Sequence, residues 1–292
     1  MSTLLPRWSA LIIAWIFLNP LLLAAEVAEL EVAPGIFATA SYQQGEPEKP
    51  AIIMLHGWLQ TREFSTIARL YDALSDSGYT LLAPTLSLGI SRRAKSLPCE
   101  SIHTNSLDDD IYELEQWTNW LSSRGHKQLI LLGHSMGATE VLAFLDQYRG
   151  DRVIQSILIS IGPIGPGWPD NNANFNDWLR AEKSFTTGDK GLSEYGLAYC
   201  KKYVTTAENL LSFYRWDYER VLSAFAKLKI PTQIIVGSED KLLNIKLIQQ
   251  LASEGIAVDT LEGAGHFFDK EFEFELSDAV ESYLTGNRLP AN

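Results

Sequence analysis

Cysteine is scarce in this chain: Cys99 and Cys200 are its only two among 292 residues. Two cysteines cannot make a disulfide-dense scaffold, and they supply none of the clustered Cys/His spacing of a structural zinc site. Stability must come mainly from packing. Basic charge is scarce as well. Lys plus Arg number 24 and Asp plus Glu 36, so 24 − 36 = −12, and a surface that acidic repels phosphate backbones and anionic headgroups. Nucleic acid is therefore not an expected partner. Long hydrophobic runs are missing too. The apolar stretch at residues 10–25 is 16 residues with Pro20 inside it, short of the ~20 that a spanning helix needs.

What the chain has is apolar matter for a sizeable core, 46% of its residues. Residues 1–25 read as a segment apart: Arg7 is the only charge, 10–18 is apolar, and Ala24-Ala25 precede the first acidic residue, Glu26. A positive start, a short apolar stretch and small residues at the exit describe a secretory signal, with cleavage expected near Ala25. No Cys follows the apolar run, so lipid attachment there is excluded. The alternative is an uncleaved N-terminal membrane anchor; after cleavage no stable span is expected. An exported chain, periplasmic or secreted, meets oxidising conditions, which makes Cys99 and Cys200 a candidate disulfide. Two separately buried thiols are the alternative.

From residue 51 short β-branched or Leu-rich runs alternate with stretches of 3.6-residue period, the signature of parallel βαβ units. Strands are predicted at 51–55, 79–83, 128–132, 154–160, 233–236 and 257–261. They are near-continuous apolar runs, as strands covered on both faces should be. Ile67, Leu70, Tyr71 and Leu74 form one helical stripe, and Ile111, Leu114, Trp117, Trp120 and Leu121 another. Ser106 and Asp108, Asp109 and Asp110 suit the N-terminus of that second helix as cap and dipole partners. Residues 27–42 read as a leading hairpin and 272–284 as a closing helix before a frayed tail. One region, 163–227, breaks the rhythm: it is rich in Gly and Pro at its start and shows no clear strand. It holds 12 of the 31 aromatic residues in 65 positions, so it reads as an inserted segment. Its aromatics, Trp168, Trp178 and Tyr199 among them, either pack the insertion onto the sheet or line an apolar pocket.

The strongest motif is Gly133-His134-Ser135-Met136-Gly137, between a predicted strand and the helical run 138–148. A strand that enters a helix through so tight a turn strains its central residue and leaves room only for small residues two positions away. The turn lifts the Ser135 hydroxyl clear of the sheet, at a helix N-terminus that favours developing negative charge. A serine hydroxyl needs a base, and the base needs a carboxylate to orient it. Asp240 follows the strand at 233–236 and His266 follows the strand at 257–261, so both arrive at the C-terminal edge of a parallel sheet. Glu239, beside Asp240, is an alternative orienting acid. His56 and His134 accompany the motifs, with structural hydrogen bonding as their expected role. His103 and His126 are expected in solvent. The stretch 84–105, with Arg92, Arg93, Lys95 and Cys99, reads as a solvated loop or as a contact for a polar substrate group.

These motifs, in the order Ser, acid, His, resemble the α/β-hydrolase superfamily. The similarity runs from residue 51 to the last helix, and it implies a mostly parallel central sheet flanked by helices. The domain reading is then a signal peptide (1–25), a core (26–162 and 228–292) and a helical or irregular cap (163–227). The resemblance implies Ser135 as nucleophile, Asp240 as orienting acid and His266 as general base. It gives His56-Gly57-Trp58 the place of an oxyanion turn, with the backbone N–H groups of Trp58 and Met136 as donors. It implies neither a metal nor an organic cofactor. The expected activity is that of a carboxylesterase or lipase-like hydrolase on a small-molecule ester with an apolar acyl part. Acyl transfer or peptidase chemistry on the same residues, or binding without turnover, are the alternatives.

Overall fold

The computed structural model describes residues 25–148, 152–165 and 172–286. Residues 1–24 of the expected signal segment, Trp168 and most of the expected tail lie outside the described residues. The leading hairpin forms as the sequence predicts: β1 (Glu26–Ala33) turns at Gly35, φ 76°, into β2 (Ile36–Gln43). Then β3 (Ala51–Leu55), α1 (Ser65–Leu74), β4 (Thr80–Thr85), α2 (Leu107–Ser123), β5 (Leu129–His134), α3 (Met136–Gln147) and β6 (Val153–Ile159) alternate along the chain. The irregular segment carries α4 (Asn172–Thr186), β7 (Leu192–Leu197), β8 (Cys200–Thr206), α5 (Ala207–Tyr214) and α6 (Tyr218–Phe225). The alternation resumes with β9 (Thr232–Gly237), α7 (Ile245–Ser253), β10 (Ala257–Leu261) and α8 (Phe272–Leu284).

Eight strands make one sheet in the order β1-β2-β4-β3-β5-β6-β9-β10. The pairs β1–β2 and β2–β4 are antiparallel and the other five are parallel. Strand alternation sorts the core onto the two faces. Ile52, Met54, Ile130 and Leu132 pack under the stripes of α1 and α8, whereas Ile53, Leu55, Leu129 and Leu131 face α2 and α3. A sheet covered on both faces, with helices in every parallel crossover, is the α/β-hydrolase fold that the motifs implied. No described helix is long and apolar enough to cross a membrane.

Three expectations about strands are corrected. Strand β10 is not buried along its length: it closes the sheet edge beside β9 alone, and although Val258 and Leu261 pack against the core on opposite faces, Asp259 and Thr260 are exposed. Strand β4 does not stop at Ala83 but continues through Pro84 to Thr85. Its pairing with β3 ends at Leu82, while Pro84 stands opposite Ala40 of β2, so the proline falls where one neighbour has already diverged. The insertion is not free of strands, because β7 and β8 form an antiparallel hairpin. Its turn residues, Ala198 (φ 51°) and Tyr199, lack the Gly or Asn that marks a tight hairpin in sequence.

The hairpin is fastened to the loop that leaves β4. Cys99 and Cys200 form a disulfide. Beside it the His103 N–H donates to the Val204 carbonyl (2.8 Å), and the Thr205 hydroxyl donates to the His103 carbonyl (2.8 Å). His103 is buried and stacks on Tyr203 at 4.1 Å, not placed in solvent as expected; His126 is half-buried.

Candidate active site

Strand β5 lies inside the sheet and ends at His134, so the next residue must turn sharply to start α3. Ser135 makes that turn at φ 57°, ψ −120°, a backbone conformation that costs a non-glycine residue about 1–3 kcal/mol. The flanking glycines meet the steric demand read from the motif. A Cβ on Gly133 would lie 2.3 Å from the Gly137 carbonyl oxygen, and one on Gly137 would lie 2.5 Å from that of His56. Ser135 thus stands above the sheet edge, and Met136, the first residue of α3, offers an amide that the helix leaves without an intrahelical partner.

Strands β9 and β10 bring the other two residues to the same edge. The loops that follow them are zipped together: the Ser238 N–H donates to the Leu261 carbonyl (3.0 Å) and the Glu239 N–H to the Ala264 carbonyl (2.9 Å). This places His266 between Ser135 and Asp240. His266 Nδ1 lies 2.8 Å from Asp240 Oδ2, and His266 Nε2 lies 2.9 Å from Ser135 Oγ. Glu239 is exposed and does not approach the ring, so Asp240 and not its neighbour meets the histidine. Burial alone would raise the Asp240 carboxyl. The hydrogen bonds from His266, from the Ser160 hydroxyl (2.7 Å) and from the Leu242 N–H (2.9 Å) outweigh it and hold the group below the usual carboxylate range. An ionised carboxylate only accepts, so Nδ1 carries the proton and neutral Nε2 is left to accept from the Ser135 hydroxyl.

His134 holds this arrangement from beneath. Its Nε2 donates to the His266 carbonyl (2.8 Å), and burial, then the neighbouring His266, push its titration down to about 3. It is a neutral positioning group, as read from the sequence. Ser160, φ 50°, was not singled out in the sequence, although a lone hydroxyl after the apolar run of β6 at the edge where β5 and β9 also end was a signal.

Trp58, Met136, Ser135, Ile164, Tyr199 and Leu242 line a cleft of about 360 Å³, including its open mouth. Trp58 is clasped by the insertion. Its ring sits 5.2 Å from Tyr203 and 5.2 Å from Phe213, its Nε1 donates to Cys200 Sγ (3.4 Å), and its carbonyl accepts from the Tyr199 hydroxyl (3.2 Å). Tyr199 thus lines the cleft, whereas Trp178 is half-buried against the core. Among the described residues no cluster of three or more His, Cys, Asp or Glu side chains is placed to hold a metal ion.

Behind the cleft lies a buried cluster that the sequence did not disclose. The stretch 84–105 divides: Arg92 pairs with Glu29 at the surface and Lys95 is exposed, but Arg93 is 4% exposed. Asp108 and Asp109 fit the predicted helix start, with Asp109 closing a capping box on Ser106. Asp110 does not: it is buried, accepts from Asn105 (3.0 Å), and is raised by burial and by Glu140 and Glu113. Burial pushes Glu113 up to about 7 despite the Ser87 N–H beside it, and burial and Glu113 together raise Glu140. Glu140 Oε2 finds no partner among the described residues. A carboxyl whose folded pKa lies above its unfolded value contributes stability below that unfolded value and loses it as pH rises through the folded one. The unfolding midpoint should therefore fall between pH 4.5 and about 7 and beyond. Glu140→Gln should make that fall shallower, read as thermal midpoints at pH 5 and pH 8; an unchanged slope would contradict the assignment.

Similarity to known proteins agrees with the fold. Residues 52–274 match the alpha/beta hydrolase family. No curated protein sequence matches the chain. Among solved structures, Est1E from Butyrivibrio proteoclasticus superposes with a TM-score of 0.64 at 15% identity, over 89% of this chain and 98% of that one. The thioesterase domain from the curacin biosynthetic pathway gives 0.61 at 19%, over 90% and 99%. The Pyrococcus furiosus esterase Pf2001 gives 0.58 at 17%, over 90% of each. Likeness at such identities establishes the fold and leaves the chemistry to the site. With the match spanning most of its length, this chain belongs to the alpha/beta hydrolase family.

Proposed function

We propose that this protein is a serine hydrolase that cleaves carboxylic esters with an apolar acyl part, acting outside the cytoplasm after loss of its first 25 residues. The observation that carries the reading is the unbroken hydrogen-bonded chain from Ser135, which lines the cleft, through His266 to Asp240. His266 Nε2 takes the Ser135 proton as Oγ attacks the ester carbonyl. The amides of Trp58 and Met136 hold the oxyanion, and His266 returns the proton to the leaving alkoxide. Water, deprotonated by the same ring, then releases the acid and restores Ser135. Residues 163–227 act as the cap. The Cys99–Cys200 disulfide supports the export reading, since such bonds persist in oxidising compartments.

Trp58, Ile164, Tyr199 and Leu242 crowd the space beside Ser135, so short acyl chains should be favoured. The test is hydrolysis of p-nitrophenyl esters from C2 to C16, with Ser135→Ala as control. Hydrolysis of the short esters, reduced by a factor of at least about 10³ in Ser135→Ala, is expected. Equal inactivity of both folded proteins on every ester would reject the esterase reading and turn attention to acyl transfer, amide cleavage or binding without turnover.

A further inference from the structure

Arg93 and His56 take no part in the proposed proton transfers, yet both are buried directly behind the turn that carries Trp58. The Leu86 N–H donates to His56 Nε2 at 3.1 Å. A backbone amide only donates, so Nε2 is the unprotonated nitrogen, and Nδ1–H is left to donate to the Gly57 carbonyl at 2.9 Å. The Gln60 N–H reaches the same carbonyl at 3.1 Å. In a planar trans peptide the carbonyl of Gly57 and the N–H of Trp58 point in opposite directions. Whatever fixes one fixes the other. The turn is also drawn tight against the nucleophile, since a Cβ on Gly57 would lie 3.4 Å from Ser135 Cβ.

Arg93 locks both the histidine and the turn. Its Nη2 donates to the Gln60 carbonyl (2.7 Å) and lies 3.3 Å from His56 Nε2, adding a second donor to the nitrogen that must stay unprotonated. Its Nη1 reaches the Leu59 carbonyl (3.4 Å) and the Lys95 carbonyl (3.0 Å), and its Nε donates to the Leu86 carbonyl (2.7 Å). Leu59 itself is held at φ 56°, so the turn adopts a conformation that surrounding contacts must impose. We propose that Arg93 is a positioning residue for the oxyanion site: through His56 and the Leu59 and Gln60 carbonyls it sets the Gly57–Trp58 peptide so that the Trp58 N–H faces the reacting carbonyl. The five-donor planar fork of arginine is what lets one side chain serve four carbonyls and a ring nitrogen. A lysine keeps the charge and loses that geometry.

The inference rests on the serine hydrolase reading, and the experiment separates the two. Wild type, Arg93→Lys, His56→Gln and the double variant are assayed on p-nitrophenyl butyrate, with rates expressed per active site titrated by a fluorophosphonate. Arg93→Lys should lower kcat about 100-fold with KM within about threefold, the size of effect seen when one oxyanion donor is lost. A trifluoromethyl ketone, which places an oxyanion in the same site, should lose affinity by a similar factor. Adding Arg93→Lys to His56→Gln should cost less than Arg93→Lys costs alone, because both act through one peptide plane. A role confined to folding would lower yield and melting temperature and leave kcat per titrated site intact, which would overturn the proposal. Fully multiplicative losses would overturn the relay through His56. If Arg93→Lys yields no folded protein, His56→Gln decides alone: a kcat loss at constant KM supports the relay and an unchanged kcat rejects it. A wild type without ester turnover contradicts the functional reading itself, and the proposal with it.

Discussion

Asp240→Asn is expected to lower kcat on ester substrates by about 10⁴ while leaving the fold intact. The size of the effect follows from where the two carboxylate oxygens sit. Oδ1 accepts from the Leu242 N–H at 2.9 Å, and Oδ2 faces His266 Nδ1 at 2.8 Å. A backbone N–H cannot accept, so an asparagine there must keep its oxygen at the Oδ1 place and put its NH2 at the Oδ2 place. That NH2 donates to Nδ1, which must then give up its proton to Nε2. The ring is left in the tautomer that cannot receive the Ser135 proton. The Ser160 hydroxyl, which donates to Oδ2 in the native protein, can rotate to accept from the new NH2, so packing is undisturbed. Steady-state kinetics beside a far-UV circular dichroism spectrum check this; a loss below about tenfold would mean that Asp240 does not set the tautomer.

The second large effect is geometric. Gly137→Ala should destabilise the protein by about 1–3 kcal/mol, the usual cost of overpacking, and reduce kcat by about 10². The added Cβ would lie 2.5 Å from the His56 carbonyl oxygen and 2.8 Å from that of Leu55. Those are backbone atoms at the end of β3, and neither can swing aside as a long side chain would. Relief requires α3 and the end of β3 to separate, and these two elements carry Met136 and Trp58. The same shift that relieves the clash pulls the two proposed oxyanion donors apart. Thermal unfolding and kinetics measured together should show both losses; a variant with wild-type melting temperature and kcat would contradict the packing seen here.

These two positions also mark how far the sequence could be read. The Ser135 turn was legible because its constraint is local: strand, Gly, Ser, Gly and helix lie within a dozen residues, and sterics alone demand that order. Asp240 and His266 were legible because apolar strands end just before them and parallel strands deliver their C-terminal ends to one edge. Residue type alone left Glu239 beside Asp240 as an alternative and only the resemblance favoured Asp240; the structure buries Asp240 against His266 and leaves Glu239 exposed. Arg93 and Ser160 were hidden for another reason. Their roles depend on contacts between segments 33 and 80 residues apart, and a charged residue in a loop reads as solvated until its surroundings are known. Glu113 and Glu140 lie on the helical faces that bury them, where periodicity alone does not separate a buried carboxyl from an exposed one. The β7–β8 hairpin escaped because the adjacent exposed lysines Lys201 and Lys202 break the alternation of β8, leaving it only from Tyr203 to Thr206, and because its turn carries neither Gly nor Asn.

The measurement that bears most directly on the central claim is covalent labelling of the folded protein with a fluorophosphonate, followed by mass spectrometry of its peptides. Phosphonylation needs the Ser135 hydroxyl, a neutral His266 to take its proton and an oxyanion site to receive the developing charge, all at once. The account predicts one adduct per chain, on Ser135, that forms slowly or not at all in Asp240→Asn and is absent from Ser135→Ala. A folded wild-type protein that remains unlabelled, or one labelled on a residue other than Ser135, would contradict it.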